Sequence, residues 1–239
     1  MPATPLEICN NVLLRTGYAS VSTLVGNNAL NARKILAAMQ LEGRTLSRMD
    51  WKILLKRNVI TTASSADAYA LPSDFDRFID NTMWNSTKHT IMDGPVTTQR
   101  WQSNKTGVTT LGIYDRFQVR ADANSNRFWI DPVPTTADEF SFYYATNTWC
   151  RAKGGTRQSQ WKADTDCLLL DDLVYELGVE VRWLKANGRP YESSAIDYER
   201  EKQKAFARDG GMADISIWAP RDNDLIVPLA NVGETNFGS

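Results

Sequence analysis

One histidine, His89, and three scattered cysteines, Cys9, Cys150 and Cys167, are all that 239 residues contain of those two types. The single imidazole excludes most metal centres and most nucleophile–base pairs, which draw on His. An odd number of cysteines with no CxxC pair excludes a disulfide framework and suits a reducing cytoplasm. No apolar run approaches the ~18 residues that a membrane-spanning helix needs. The opening MPATPLEICN has no basic n-region and no long apolar core, so a secretory signal is not expected. Motifs that carry chemistry are missing too: no GxGxxG opens a helix, and there is no GxxxxGK[ST], HExxH or GxSxG. Excess charge of either sign is also absent, with 27 Lys and Arg against 28 Asp and Glu. A protein whose task is to hold bare DNA is usually basic overall.

What is present is the composition of a globular protein, 42% hydrophobic and 23% charged, long enough for one large domain or two small ones. The near-zero net charge of −1 conceals a segregation. Residues 26–62 sum to +5, 63–95 to −3, 96–163 to +4, 164–209 to −4 and the last 30 residues to −3. Alternating blocks suit a protein that packs against copies of itself or against neighbours in an assembly.

The periodicity changes twice along the chain. Thr4-Pro5-Leu6-Glu7 is a capping box with Pro at the first helical position, and Leu6, Cys9, Val12 and Leu13 follow as one apolar stripe that Gly17 ends. A second, basic helix is expected from about Asn28 to Trp51, with Ala32, Ile35, Met39, Leu46 and Met49 inward. Residues 52–62 read as a strand, 64–67 as a turn, 79–93 as a hairpin or two short strands, and 97–105 as a short helix around Trp101. Strands are expected at 112–120, 126–131 and 139–149, the first two joined by a turn at Asp122–Ser125. From Thr165 the helical period returns. Leu170, Leu173, Leu177, Val181 and Leu184 form one seam, Asn187-Gly188 closes it, and a last helix over 191–208 turns Tyr191, Ala195, Tyr198 and Ala205 to one side. The fold class is therefore α+β. Residues 1–51 and 164–210 form a helical layer, 52–163 a β-rich insertion, and 211–239 an extended C-terminal arm.

Four features are candidates for chemistry. Asp171-Asp172 and the Asp164/Asp166 pair could hold Mg²⁺ or act in hydrolysis, but acidic residues at a helix start read better as caps. His89, next to Lys88, reads as a solvated side chain. Gly154-Gly155 among basic residues reads as a flexible loop rather than an anion cradle. Aromatics interleaved with Arg, at Arg100-Trp101, Arg127-Phe128-Trp129 and Trp149-Cys150-Arg151, could stack on bases. The alternative for Trp84, Trp101, Trp129, Trp149 and Trp161 is to fill a β core and meet neighbouring chains. No cofactor, metal or catalytic residue is expected.

The segment Trp51-Lys52-Ile53-Leu54-Leu55-Lys56-Arg57 is followed by Tyr69-Ala70-Leu71-Pro72-Ser73-Asp74-Phe75-Asp76-Arg77-Phe78. Pro72 stops a strand and Asp74 can cap the turn. This pattern resembles the head-to-tail adaptor proteins of tailed bacteriophages, also called tail tubular or head-completion proteins. The order of elements over about residues 4–210 is similar to theirs. The resemblance implies a structural virion protein with no catalytic residues, assembled in the host cytoplasm. It implies a homo-oligomeric ring of twelve that binds below the portal protein, extends the DNA channel and offers a platform for a tail nozzle or tail fibre. Genomic DNA would pass the lumen without sequence-specific binding, and no membrane would be involved. Near-neutrality fits, because a strongly basic channel would grip phosphates. The competing reading is a nucleic-acid-binding module using residues 26–62 and the Arg–Trp segments.

Within the adaptor reading, Arg44 and Arg48 are expected to meet an acidic surface of a neighbour. The arm carries two apolar clusters, Ile215, Ile217 and Trp218, then Leu225, Ile226, Val227 and Leu229. Exposed clusters of this kind mark contact sites, so the arm is expected to dock on a partner chain, with the portal first and an adjacent subunit second; the alternative is that it folds back on its own domain.

Overall fold

The structure, a computed structural model, describes residues 3–64, 66–106, 115–122 and 125–210. Chain order is α1 (Pro5–Arg15), α2 (Leu30–Leu46), a 3₁₀ turn (Lys52–Leu54), β1 (Leu55–Thr61), β2 (Ala68–Ala70), β3 (Phe75–Phe78), β4 (Trp84–Asn85), β5 (Thr90–Ile91) and α3 (Thr98–Thr106). There follow β6 (Arg116–Asp122), β7 (Ser125–Asp131), β8 (Glu139–Thr146), β9 (Cys150–Arg151), β10 (Arg157–Gln158), β11 (Cys167–Leu168), α4 (Asp172–Ala186) and α5 (Glu192–Arg208). Helices begin and end the described chain and strands fill its middle, an α+β fold.

The first helix forms as its cap dictates. The Glu7 amide donates to Thr4 Oγ1 at 3.3 Å and the Thr4 amide donates to the Glu7 carboxylate at 2.9 Å. Ile8, Cys9, Val12 and Leu13 are buried, and Gly17 supplies the positive φ of 77° that ends the element. Helix α2 buries Ala32, Ile35, Met39 and Leu46, the expected stripe. It starts two residues later than Asn28 and ends at Leu46, so Met49 and Trp51 pack from the turns that follow.

The seam expected on α4 is corrected. Leu173 is 49% exposed, and Leu177 and Val181 are half-buried at the margin of the core. The inward residues are Val174, Tyr175, Gly178, Val179 and Trp183. This helix is apolar on more than one side, and the leucine spacing marks the weaker side. The side that turns inward carries the two aromatic rings, and there the Tyr175 hydroxyl donates to the Met39 carbonyl of α2 at 2.6 Å. Gly178 lies where Glu42 of α2 and Tyr198 of α5 meet the helix, too close for any side chain.

Two clusters of buried side chains result. One joins α1, α2, α4 and α5 to Trp51, Leu54, Trp149, Cys150, Trp161 and Leu168. The other, Met83, Met92, Phe117, Phe128, Ile130, Phe140, Phe142 and Tyr144, is the β core. Strand β8 organises the latter: Phe140, Phe142 and Tyr144 alternate inward, while β1, β3 and β4 all pair with it antiparallel. A three-stranded sheet β2-β7-β6 and a second one, β10-β9-β11, complete the architecture. The β6–β7 hairpin closes with Asp122 opposite Ser125, as expected; residues 123–124, and 107–114 before the strand, lie outside the described residues.

Trp149 and Trp161 differ from expectation. They fill the helical cluster rather than the β core, because β8 ends at Thr146 and the chain then turns inward. Trp149 stacks on Tyr175 at 5.8 Å and meets Trp161 edge-on at 5.0 Å. Gly43 of α2 is the reason this fits: a β-carbon there would overlap the Trp149 indole.

Two outcomes test the packing. Trp183→Ala should cost ~3–5 kcal/mol in urea unfolding, whereas Leu173→Ala should stay within ~1 kcal/mol; equal costs would return Leu173 to the core. Gly→Ala inside an ordinary helix gains ~1 kcal/mol, but Gly43→Ala should instead destabilise by ~1–3 kcal/mol through overpacking, and a raised melting temperature would contradict the Trp149 placement.

Candidate interaction surfaces

The Tyr69–Phe78 segment is a structural joint. Phe75 resumes the chain after Pro72, whose carbonyl accepts from the Phe75 amide at 3.0 Å. Phe78 inserts among Phe142 at 4.9 Å, Phe117 at 5.4 Å and Phe128 at 6.3 Å. Asp74 does not cap its own turn. Strand β8 runs alongside and supplies better donors: Tyr144 Oη and Thr146 Oγ1, each at 2.9 Å, together with the Lys56 ammonium of β1. Burial alone would push the Asp74 carboxyl up, but these three donors outweigh it and hold the group below its ordinary value. Tyr144 responds in the opposite sense, pushed up to about 12 by burial and by donating to Asp74. Arg77 then ties the joint to the helices, with one nitrogen 2.5 Å from Asp50 beyond α2 and the other 2.7 Å from Asp76.

Beside this joint opens a cleft of about 360 Å³, lined by Arg44, Ser47, Arg48, Asp76, Asn147, Ser159 and Gln160. Arg44 and Arg48, the expected contact residues, are exposed and come together here, the first in the last turns of α2 and the second just past its end. Neither has an ion-pair partner among the described residues, and Asp76 is already drawn to Arg77. The polar far wall was not anticipated, although Asp76 lies inside the motif that marks the joint. The six arm residues Ile215, Ile217, Trp218, Leu225, Ile226 and Val227 lie outside the described residues.

A third surface is the outer side of the sheet on β8. Register places Val59, Ser141 and Trp84 side by side across three strands, with Arg57 opposite Tyr143 two residues along on the same side. Val59 and Tyr143 are nearly half exposed and Trp84 somewhat less. This row of apolar groups was not read in advance, because β4 is only two residues long and shows no alternation.

The carboxylates suspected of chemistry are satisfied structurally. Asp171 caps α4 by accepting from the Val174 amide at 3.0 Å. Asp172 accepts from the Ala3 amide, Asp164 from the Leu24 and Val25 amides, and Asp166 from Gln158, Lys162 and Ala163. Asp115 and Asp138 share Lys88 and the fully buried Asn85, which closes the β4–β5 turn. Among the described residues no group of three or more His, Cys, Asp or Glu could hold a metal ion. His89 is exposed in that turn with φ of 56°. Burial pushes the Cys9 and Cys150 thiols up to about 12, which leaves both inert.

The aromatic rings of the Arg–aromatic segments are largely enclosed, with Phe128 buried and Trp129 covered by Arg120. The Arg120 guanidinium stacks 3.7 Å from the Trp129 ring and 5.9 Å from the Trp101 ring. Trp101 and Trp149 are buried, so neither presents a face for base stacking. No helix of the described residues is long and apolar enough to cross a membrane.

The α+β body thus bears a cleft with two exposed arginines and an exposed row of apolar groups. The model of the SU10 adaptor protein family matches residues 17–224, and the chain belongs to that family of phage head–tail adaptors. It is a structural adaptor of the virion at the head–tail junction, where it meets other head and tail proteins. No curated protein matches it.

The Asp74 joint gives a pH test. A carboxyl lowered by folding adds stability that is full above the ordinary carboxylate range near 4 and is lost as pH falls through the lowered folded value. Asp74→Asn should cost ~1–3 kcal/mol at pH 7 and should lose less of its remaining stability between pH 5 and pH 3 than the parent, measured by urea unfolding. Parallel pH profiles would show that Asp74 is not bound as described.

Proposed function

We propose that this adaptor forms a ring of twelve copies below the portal, extends the DNA channel and presents a platform for the tail nozzle or tail fibre. The observation that carries the reading is membership of the adaptor family across residues 17–224. The geometry supports it in two places. Arg44 and Arg48 stand exposed at one cleft without ion-pair partners among the described residues, and an acidic surface of an adjacent subunit or of the portal supplies what they lack. The α4–α5 hairpin belongs to the acidic 164–209 block and offers such a surface in a second copy. The apolar row Val59–Trp84–Tyr143 is ready for burial in a subunit contact. The far part of the arm, Leu225, Ile226 and Val227, reaches the portal as an extended segment. A genome-conducting channel is served by an overall charge of −1, since a basic lumen would retain DNA.

The nucleic-acid-binding alternative loses support from the buried and internally stacked tryptophans. Retention of DNA by the purified protein at 150 mM salt, falling steeply as salt rises, would favour it.

The reading is tested by reversing charge at the cleft. Arg44→Glu with Arg48→Glu should leave the melting temperature unchanged, because both side chains are exposed. It should weaken association with the portal, or of the subunits with each other, at least ~10-fold in sedimentation at low salt, with the difference shrinking above 0.5 M salt. Unchanged association at every salt concentration would remove Arg44 and Arg48 from the contact.

A further inference from the structure

We propose that the first apolar cluster of the arm, Ile215, Ile217 and Trp218, seats in a groove of its own chain floored by Trp51, Ile53, Leu169 and Leu170, so that the arm is anchored at its root and only its second cluster is free for a partner. This departs from the expectation that a partner chain covers both clusters.

The groove has a volume of about 390 Å³ and runs into a neighbouring hollow of about 470 Å³ that shares Ile53, Leu169, Leu170 and Asp171. Ile53 is 43% exposed there and Leu169 half-buried, while Trp51 and Leu170 form a buried floor. A large aliphatic side chain open to water inside a concavity is what a second apolar group would cover.

Where the described chain stops decides the occupant. Ala205, Arg208 and Asp209, the end of α5, form one wall of this groove. The Asp209 carboxylate accepts from the Lys52 amide at 2.5 Å. Gly210 turns the chain with φ of 78°, so close to Lys52 that a β-carbon would collide with the lysine side chain. The arm therefore leaves the body beside residue 52, next to Ile53. Ile215 follows five residues later, a reach of at most ~18 Å. In extended backbone Ile215 and Ile217 share a side.

Charge and family extent agree. Arg151 lines the neighbouring hollow and Lys52 lies between Trp51 and Ile53; both are exposed and have no ion-pair partner among the described residues. Residues 211–224 carry Asp214, Asp222 and Asp224 against one Arg221. The carboxylates already in the groove are engaged, Asp171 by the Val174 amide and Asp172 by the Ala3 amide. The family match ends at residue 224, between the two clusters: the first travels with the family body and the second lies beyond it.

The inference needs neither ring nor portal, so its test is separate from that of the proposed function. In the full chain with Cys167→Ser, Ile53→Cys is combined with Ile217→Cys and oxidised at low micromolar concentration. The expected product is an intrachain disulfide, a monomer of altered mobility on a non-reducing gel, formed at least ~10-fold faster than when Ile53→Cys is combined with Ile226→Cys. A disulfide between copies would overturn the proposal in favour of an adjacent subunit, and equal rates for the two pairs would overturn it in favour of an unseated arm. As a second readout, Ile217→Ser with Trp218→Ser should lower the melting temperature by about 3–8 °C while Ile226→Ser leaves it unchanged; no shift in the first variant contradicts the seating.

Discussion

The helical part of this protein is organised around one buried carboxylate. Glu42 of α2 is 1% exposed, and a charge so placed is tolerated only when its partners are complete. Arg182 of α4 supplies its Nε at 2.5 Å, and Tyr198 of α5 supplies its hydroxyl at 2.6 Å. Three helices drawn from both ends of the chain thus converge on a single group. The arrangement also explains Gly178, whose missing side chain leaves room for Glu42 and Tyr198 together. Burial, then the adjacent Glu42 charge, raises the Tyr198 hydroxyl above its ordinary value, so it stays a donor at any working pH. One turn earlier, Tyr175 donates to the Met39 carbonyl and accepts from the Trp161 indole N–H at 2.9 Å. These polar contacts, rather than leucine packing, fix the rotation of α4.

The β part follows the same logic with a different carboxylate. Asp74 gathers donors from β1 and β8, and Arg77 carries the joint across to Asp50, just beyond α2. A rigid connection of this kind suits a component that must hold two surfaces at a fixed separation. The cleft with Arg44 and Arg48 sits at that connection, with walls from both parts of the molecule. Its position is a consequence of the joint, and any displacement of β3 against α2 would open or close it.

Much of this was legible beforehand, for identifiable reasons. The α1 cap, the α2 stripe, the β6–β7 turn and the stop at Gly17 are local signals, decided within a few residues by hydrogen bonding or by φ. The α4 face was misread because Leu173, Leu177, Val181 and Leu184 and the true inward set both satisfy helical spacing, and a single helix cannot say which side meets α2. Trp149 and Trp161 were misassigned because nothing local marks the end of β8 at Thr146. Arg44 and Arg48 stood out as basic residues on a charged helix, but Asp76, Asn147, Ser159 and Gln160 come from three separate segments that only the fold brings together. Asp74 lay in view within the motif, yet its role depends on Tyr144 and Thr146, some 70 residues on.

These features describe a body whose interior is fully committed to holding its shape and whose surface is not. The carboxylates that might have served chemistry are bound by backbone amides, lysine or asparagine, while cations at one cleft and apolar groups on one sheet face remain open. That division is what an adaptor between head and tail requires: stability from within, contact from without. The proposed adaptor role rests on assembly, so the most direct measurement is the mass of the purified protein by native mass spectrometry, alone and mixed with the portal protein of the same phage. The expected result is a closed complex holding twelve copies, formed alone or on the portal. A protein that remains a monomer and leaves the portal unaltered in mass at every salt concentration would contradict it.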